Sequence, residues 1–258
     1  MVFKFSRAWT VVLRYLYSHR NGMSSLFDYF YWPLIDMLIF GFVGTSLSTQ
    51  QNSTVVINLI AGLILWQVSF RTHLEVSRNL LQEIWDENLV NFFATPLTIA
   101  EWIVGLMMTG LLGTLITVPY GALLMKLIFN LNLFSIGISL LPLILLLVVS
   151  GWVLGFIASG FLIYWGQRIE TIVWAIGWLP APFCSVYYSV DILPHWMQIV
   201  SKCLPMTHAF EGMRYALTMG QIPYWHIAVS FTLNVVYLIL ALGFFMHMLR
   251  KSKAQGLS

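Results

Sequence analysis

Long uncharged, apolar stretches alternate with short polar segments along the whole chain. A helix needs about 20 apolar residues to cross the hydrocarbon core of a bilayer. Polar residues between Thr45 and Thr54 divide the uncharged run from Met37 to Phe70, and Asn130 and Asn132 predict a turn within Leu127–Gln167. The pattern therefore predicts an all-α integral membrane protein with six transmembrane helices, over residues 23–47, 55–73, 101–126, 133–164, 169–190 and 226–248.

The first 22 residues have a different pattern. Apolar residues recur at helical spacing from Phe5 to Leu16, and Lys4, Arg7 and Arg14 occupy positions between them. This arrangement is typical of a basic amphipathic helix that lies in the membrane interface. An ordinary helix in the cytosol is the alternative. In either case residues 1–258 form a single transmembrane domain in this interpretation.

Composition and charge agree with a membrane protein. Only 9% of the residues are charged and 59% are hydrophobic, whereas a soluble domain carries about 25% charged residues. Ten of the 13 Lys and Arg residues fall in the termini and in the connections on the same side of the six predicted spans. Positive charge marks the cytoplasmic side, so we expect both termini in the cytoplasm. The net charge of +3 follows from this topology and indicates no nucleic-acid partner.

Residues 74–100 form a long connection on the cytoplasmic side. Apolar residues from Leu81 to Phe92 recur at helical spacing, and Glu83, Asp86 and Glu87 cluster on the opposite side of such a helix. Anionic lipid repels acidic residues, so an acidic face at this position favours docking to a basic protein surface. A solvated loop with ordinary charges is the alternative interpretation.

Residues 191–225 form the long connection on the other side. Five of the nine prolines lie between Pro180 and Pro223, and His195–Lys202 and His208–Met219 are long enough only for short helices. Apolar backbone broken by proline is tolerated at membrane depth only against protein or a water-filled cavity. We therefore expect short re-entrant helices between spans five and six. Cys184 and Cys203 fall near this region and are either free thiols or a disulfide.

The sequence contains few groups with catalytic or metal-binding chemistry. It has no GxxxxGK[ST], HExxH or GxSxG motif, and therefore no P-loop, zinc-protease helix or nucleophile elbow. His208 and Glu211 are three residues apart and share a helical face, either as a catalytic pair or as a packing contact. Asp36 lies near the middle of span one, where a carboxylate is costly. It is a candidate for a pathway or a subunit contact, and a structural hydrogen bond is an equal alternative.

Two stretches resemble a known family. WDENLVNFFATPLTIAEWIVG, which begins at Trp85, is similar to the cytoplasmic coupling region of type-2 ABC exporter permeases. FCSVYYSVDILPHWMQIVSKCLPMTHAFEGMR, which begins at Phe183, is similar to the outer signature of the same family. With the N-terminal helix and the six predicted spans, the resemblance covers nearly the whole chain.

The resemblance implies a homodimer that binds two copies of a separate ATP-binding subunit in a bacterial inner membrane. ATP and Mg²⁺ would then belong to the partner subunit, and this chain would be no enzyme and would hold no metal or cofactor of its own. The cargoes of the family include polysaccharides, lipid-linked glycans and hydrophobic drugs. The resemblance implies coupling residues and outer-gate residues, namely Glu83, Trp85, Asp86, Glu87, Asn88 and Asn91 for coupling, and Tyr187, Tyr188, Pro194, Pro205, His208, Glu211 and Arg214 for the gate.

Two rival functions remain from the residues alone. A membrane-embedded lipid-modifying enzyme would use His208, Glu211 and Asp36 together at one membrane depth. A membrane anchor that transports nothing would only recruit a cytoplasmic partner.

Overall fold

A computed structural model describes residues 3–21, 23–47, 53–88 and 94–254, and within these ranges it is helical without any strand. Apolar runs in a membrane form helices because every backbone polar group must be satisfied within its own segment. In chain order the helices are α1 (Phe5–Asn21), α2 (Met23–Leu47), α3 (Ser53–Trp85), α4 (Ile99–Phe129), α5 (Leu140–Trp165), α6 (Glu170–Trp178), α7 (His195–Lys202), α8 (Pro205–Met219) and α9 (Tyr224–Ala254).

Four stretches in the described residues are long and apolar enough to cross a membrane. They are Val55–Trp85 in α3, all of α4, the stretch Leu133–Trp178 that contains α5 and α6, and all of α9. The chain is therefore a multi-pass membrane protein. The predicted first span, 23–47, is a helix (α2), but it contains Pro33 and two carboxylates and is not one of these four stretches.

The predicted fifth span, residues 169–190, is not a single transmembrane helix. The helix in this region, α6, has nine residues and ends at Trp178, and turns follow it as far as Tyr188. Pro180 and Pro182 explain the early end, because proline removes a backbone donor and clashes with the preceding turn. The uncharged run did not predict one continuous helix here, because the two prolines interrupt the helix without adding any charge.

The helix that contains the predicted second span, 55–73, extends well beyond it. Helix α3 continues for twelve further residues, so that residues 74–85 of the expected coupling region are the end of the same helix. The prediction ended the span where charged residues begin, at Arg71, Glu75 and Arg78. In the structure Arg71 and Glu75 are buried and Arg78 is partly buried, and helix α3 passes through them without a break.

Helix α3 is the centre of the bundle and packs mainly on α4 and α5. Small residues allow close contact between these helices, as a Cβ atom at Gly155 of α5 would lie 2.6 Å from the Val76 side chain. Such close packing drives helix association in lipid. Helix α1 lies against the beginning of α4, and we call this end of the bundle the α1 end. The opposite end, which holds residues 179–223, is the far end.

Candidate functional site

A turn at the far end, Ser185–Val190, is fixed by two charged side chains of α8. The Arg214 guanidinium donates to the carbonyl oxygens of Ser185 and of Val186, the latter at 3.2 Å. The Glu211 carboxylate accepts from the Val190 amide at 3.1 Å and from Arg214 at 3.0 Å. Ser185 has a φ of 53°, in the left-handed region. We call Ser185–Val190 the clamped turn.

Helices α2 and α3 contact the clamped turn from the other side. The Phe40 ring of α2 stacks on the Tyr187 ring with centroids 4.8 Å apart and an angle of 5° between the ring planes. Gly62 of α3 lies directly against the Val186 carbonyl oxygen, where a Cβ atom would overlap it. Glycine is used where two backbones must approach this closely.

Asp36 belongs to the same region. It lies one helical turn before Phe40 in α2, and its carboxylate accepts a hydrogen bond from the Gln67 amide at 2.8 Å. Burial raises the pKa of the Tyr187 hydroxyl, and the negative charge of Asp36 raises it further. The structure therefore places Asp36, the residue predicted for the pathway, near Tyr187 of the clamped turn, whereas Glu211 and Arg214 hold the same turn from α8.

Of the other residues predicted for the gate, Tyr188 lies within the clamped turn, and Pro194 and Pro205 lie beside it at the starts of the short helices. The Tyr188 hydroxyl donates to the Pro182 carbonyl at 2.6 Å, and Pro194 precedes α7. Pro205 is the first residue of α8, and its carbonyl accepts from Ser230 at 2.8 Å. The first contact holds the turn that follows α6, and the second fixes α8 to α9.

His208 and Glu211 are engaged by different partners. The His208 Nε2 atom lies 2.9 Å from the Lys202 carbonyl oxygen, whereas Glu211 binds the clamped turn. No three His, Cys, Asp or Glu side chains among the described residues are placed to hold a metal ion. Cys184 and Cys203 are free thiols, the first buried with its Sγ atom 3.7 Å from the sulfur of Met206, and the second exposed.

A stripe of polar residues runs along α3 and was missed by the sequence interpretation. Every fourth residue is polar and buried, and this α3 polar stripe consists of Gln67, Arg71, Glu75, Asn79 and Glu83. Because four residues exceed one helical turn by about 40°, the stripe winds by about 160° over its length. The four-residue repeat was visible in the sequence, but the charges in it were interpreted as the end of a span.

The middle of the stripe is paired with α2. The Tyr29 hydroxyl donates to the Glu75 carboxylate at 2.5 Å, and the Arg71 guanidinium lies 4.7 Å above the centre of the Tyr29 ring. Beside the stripe, Arg78 forms an ion pair with Asp28 at 2.6 Å. Charges at this depth are tolerated only when they are paired within the bundle, and α2 supplies these partners.

The last residue of the stripe, Glu83, is paired with α1. Its carboxylate accepts from Arg14 and from the Asn88 amide, both at 2.8 Å, and from the Tyr15 hydroxyl at 3.3 Å. Burial raises the pKa of Tyr15. Only 2% of the Glu83 side chain is exposed. The expected acidic outer face is therefore wrong for Glu83, because its side chain turns inward to the arginine.

The other residues predicted for coupling remain at the surface. Trp85, Asp86 and Glu87 are exposed where α3 ends, and Asn88 is partly buried against Glu83. We call Trp85–Asn88 the α3 corner. Asn91 lies outside the described residues.

The start of α4 is joined to α1 by a second set of contacts. Thr98 caps α4, with its hydroxyl accepting from the Glu101 amide and the Glu101 carboxylate accepting from the Thr98 amide. The same carboxylate accepts from the Lys4 amide at 2.7 Å, and Arg7 donates to the Pro96 carbonyl at 2.8 Å. Helix α1 is therefore fixed both to the end of α3 and to the beginning of α4.

No family model and no curated protein matches this chain. Of the two sequence stretches quoted above, the one that begins at Trp85 starts at the α3 corner, and the one that begins at Phe183 contains the clamped turn.

Proposed function

We propose that the chain is the transmembrane permease subunit of an ATP-driven type-2 ABC exporter. Two copies form the translocation pathway, and each binds one separate ATP-binding subunit that carries ATP and Mg²⁺. The cargo is amphipathic, of the glycan, lipid or drug type. The protein lies in a bacterial inner membrane, with both termini and the α1 end on the cytoplasmic side. One observation supports the proposal above the others: a single helix, α3, joins the α3 corner to the clamped turn.

The α3 corner is the docking site for the ATP-binding subunit in this proposal. Trp85 offers an exposed aromatic ring, and Asp86 and Glu87 offer two exposed carboxylates. Charge complementarity of this kind selects a partner with a basic groove. Closure of the ATP-binding subunits would push on the corner. The Glu83–Arg14 pair would then pass this displacement to α1 as well as along α3.

The clamped turn is the gate in this proposal. Helix α3 contacts it at Gly62, and α2 contacts it through the ring of Phe40. Movement of α2 and α3 away from the turn would separate the Phe40 and Tyr187 rings and open a path toward Asp36. Glu211 and Arg214 would keep the turn fixed to α8 during this movement, so that the opening occurs on one side of the turn.

The position of the polar residues weighs against a lipid-modifying enzyme. Such an enzyme needs His208, Glu211 and Asp36 at one point, but each contacts a different group: the Lys202 carbonyl, the clamped turn and Gln67. Catalytic groups must lie within hydrogen-bond reach of the same reacting atoms. The contacts of these three residues favour structural and gating roles.

Charge reversal at the α3 corner tests the docking site. In liposomes that contain the chain and its ATP-binding subunit, we expect D86K/E87K to abolish the stimulation of ATP hydrolysis by cargo and to weaken copurification of the two subunits. E170K is the matched control, because Glu170 is exposed on a different helix, α6, and its reversal should leave both measurements unchanged. Full coupling in D86K/E87K, or cargo transport by the chain without any ATP-hydrolysing subunit, would overturn the proposal.

A reversible cross-link tests the gate separately. In a Cys203→Ser background, a short thiosulfonate reagent should join F40C to Y187C, because the native rings are stacked at this place. We expect cross-linking to stop transport while the ATP-binding subunit stays bound, and reduction to restore transport. F40C alone is the control. Unchanged transport in the cross-linked protein would show that the clamped turn is no gate.

A further inference from the structure

A groove runs between α5 and α9 and is open at the surface of the bundle. Its volume is about 460 Å³, within the range of about 300–1,000 Å³ that is usual for ligand sites. The α5 wall is formed from Ser150 to Phe161 and the α9 wall from Tyr237 to Phe244, both at helical spacing. Most of the side chains that line it are apolar, so the groove suits a hydrocarbon occupant.

The ends of the groove differ. At one end the turn Leu204–Met206 closes it, and the Tyr237 hydroxyl there donates to the Cys203 carbonyl at 2.9 Å. At the other end the rings of Phe161 and Phe244 meet with centroids 5.1 Å apart. An occupant therefore enters from the side, between α5 and α9, where the outer face of α9 is exposed.

The position of α9 supports entry from the bilayer. Only 17% of its most apolar window is buried in the bundle, against 78% for α3. Leu240, which lines the groove, is 62% exposed, and its neighbour Ile239 is 66% exposed but points away from the groove. This helix is at the lipid boundary of the bundle, and the groove is a cleft in that boundary.

Depth and charge indicate which lipid occupies the groove. Tyr237 lies at the centre of the predicted span 226–248, and Lys251 is about 21 Å further along the same helix at 1.5 Å per residue. Half of a bilayer with its headgroups is about 20–22 Å thick. With the bilayer centred on this predicted span, the groove covers the acyl-chain depth of the leaflet at the α1 end, and Lys251 lies at the depth of its phosphates. Arg250, Lys251 and Lys253 cluster there, and basic clusters at this depth attract anionic lipids.

We propose that the groove binds one acyl chain of an anionic phospholipid from the leaflet at the α1 end, with its phosphate beside Lys251. The ammonium group of Lys251 lies 5.3 Å from the centre of the Tyr164 ring. This contact orients the ammonium group at the end of α5, directly beyond the groove. The site does not depend on the transport function proposed above.

Native mass spectrometry of the purified full chain tests the site with phosphatidylglycerol and phosphatidylcholine as probes. We expect one retained phosphatidylglycerol in the wild-type protein. L240W should lose it because the indole fills the groove, and I239W, one residue away on the lipid face, should retain it. Equal retention in L240W and I239W would overturn the proposal. So would a change of L240W from dimer to monomer, because the groove would then be an interface between copies.

The headgroup contact is tested by the same measurement. Removal of one basic residue near the surface weakens binding by about fivefold, so K251Q should reduce the preference for phosphatidylglycerol over phosphatidylcholine by about this factor. K126Q is the control, because Lys126 is exposed at the other end of α4. Equal loss in both variants, or retention of free oleate as strong as that of phosphatidylglycerol, would exclude a phospholipid headgroup at Lys251.

Discussion

The ion pair between Arg14 and Glu83 gives the most direct test of how the α1 end is built. Glu83 is only 2% exposed and Arg14 is 44% exposed, so truncation of the arginine leaves a carboxylate buried. Loss of one partner of a fully buried pair costs about 3–5 kcal/mol, and a hydrogen bond to a charged group contributes about 1.5–3 kcal/mol. Glu83 keeps its bonds from Tyr15 and Asn88, and water reaches the site of Arg14. We therefore expect R14A to lower the free energy of unfolding by about 2 kcal/mol.

A double-mutant cycle separates the pair from its surroundings. The free energy of unfolding is measured in mixed micelles by titration with a denaturing detergent, for R14A, E83Q and R14A/E83Q. If the two side chains interact as described, the coupling energy is about 1–2 kcal/mol. D86N is the control, because Asp86 is exposed at the same corner and a surface change costs less than about 0.5 kcal/mol. A coupling energy below about 0.3 kcal/mol would refute the inward position of Glu83.

Three further outcomes follow from the structure. Gly62→Ala should destabilise the protein by about 1–3 kcal/mol, because the added methyl group overpacks against the clamped turn. Gly243→Ala in α9 should stabilise the protein slightly, because nothing lies within 4 Å of its added carbon. Unfolding in a denaturing detergent compares the two variants. Burial raises the pKa of the Cys184 thiol. At neutral pH a maleimide reagent should therefore label the exposed Cys203 and leave Cys184 unlabelled until the protein is denatured. Peptide mass mapping measures the labelling of each cysteine, and equal labelling of the two would contradict the fold. Thr98→Ala should cost about 1 kcal/mol by removing the cap of α4, and Thr98→Ser should restore most of it.

Much of the helical architecture follows from the sequence for a simple physical reason. In lipid an apolar run has few alternatives to a helix, so 101–126 and 226–248 predicted the cores of α4 and α9, and 1–22 predicted α1. The helices depart from the predicted span bounds in two places, for opposite reasons. In α3 the charged residues do not mark the end of the helix, because α1 and α2 supply partners for their side chains. In residues 169–190 the absence of charged residues does not indicate one continuous helix, because the prolines end α6.

The candidate site was predicted only in part. Of the seven gate residues that the resemblance implied within Phe183–Arg214, the structure places Tyr187 and Tyr188 in the clamped turn and Glu211 and Arg214 against it. Phe40 and Gly62 could not be predicted, because they reach the turn from helices far away in the chain. The inward orientation of the Glu83 side chain could not be predicted either, because it depends on Arg14, which is 69 residues earlier in the chain.

The winding of polar residues along α3 restricts how this part of the protein can move. Sliding α3 by one turn, about 5.4 Å, would separate Glu75 from Tyr29, Gln67 from Asp36 and Glu83 from Arg14 at the same time. Each buried charge that loses its partner costs several kcal/mol in a medium of low dielectric constant. Rotation of α3 about its axis has the same penalty. The first three helices, together with the beginning of α4 that α1 holds, must therefore move as one rigid block. Any change of shape is left to the contact between Gly62 and Val186 and to the loops.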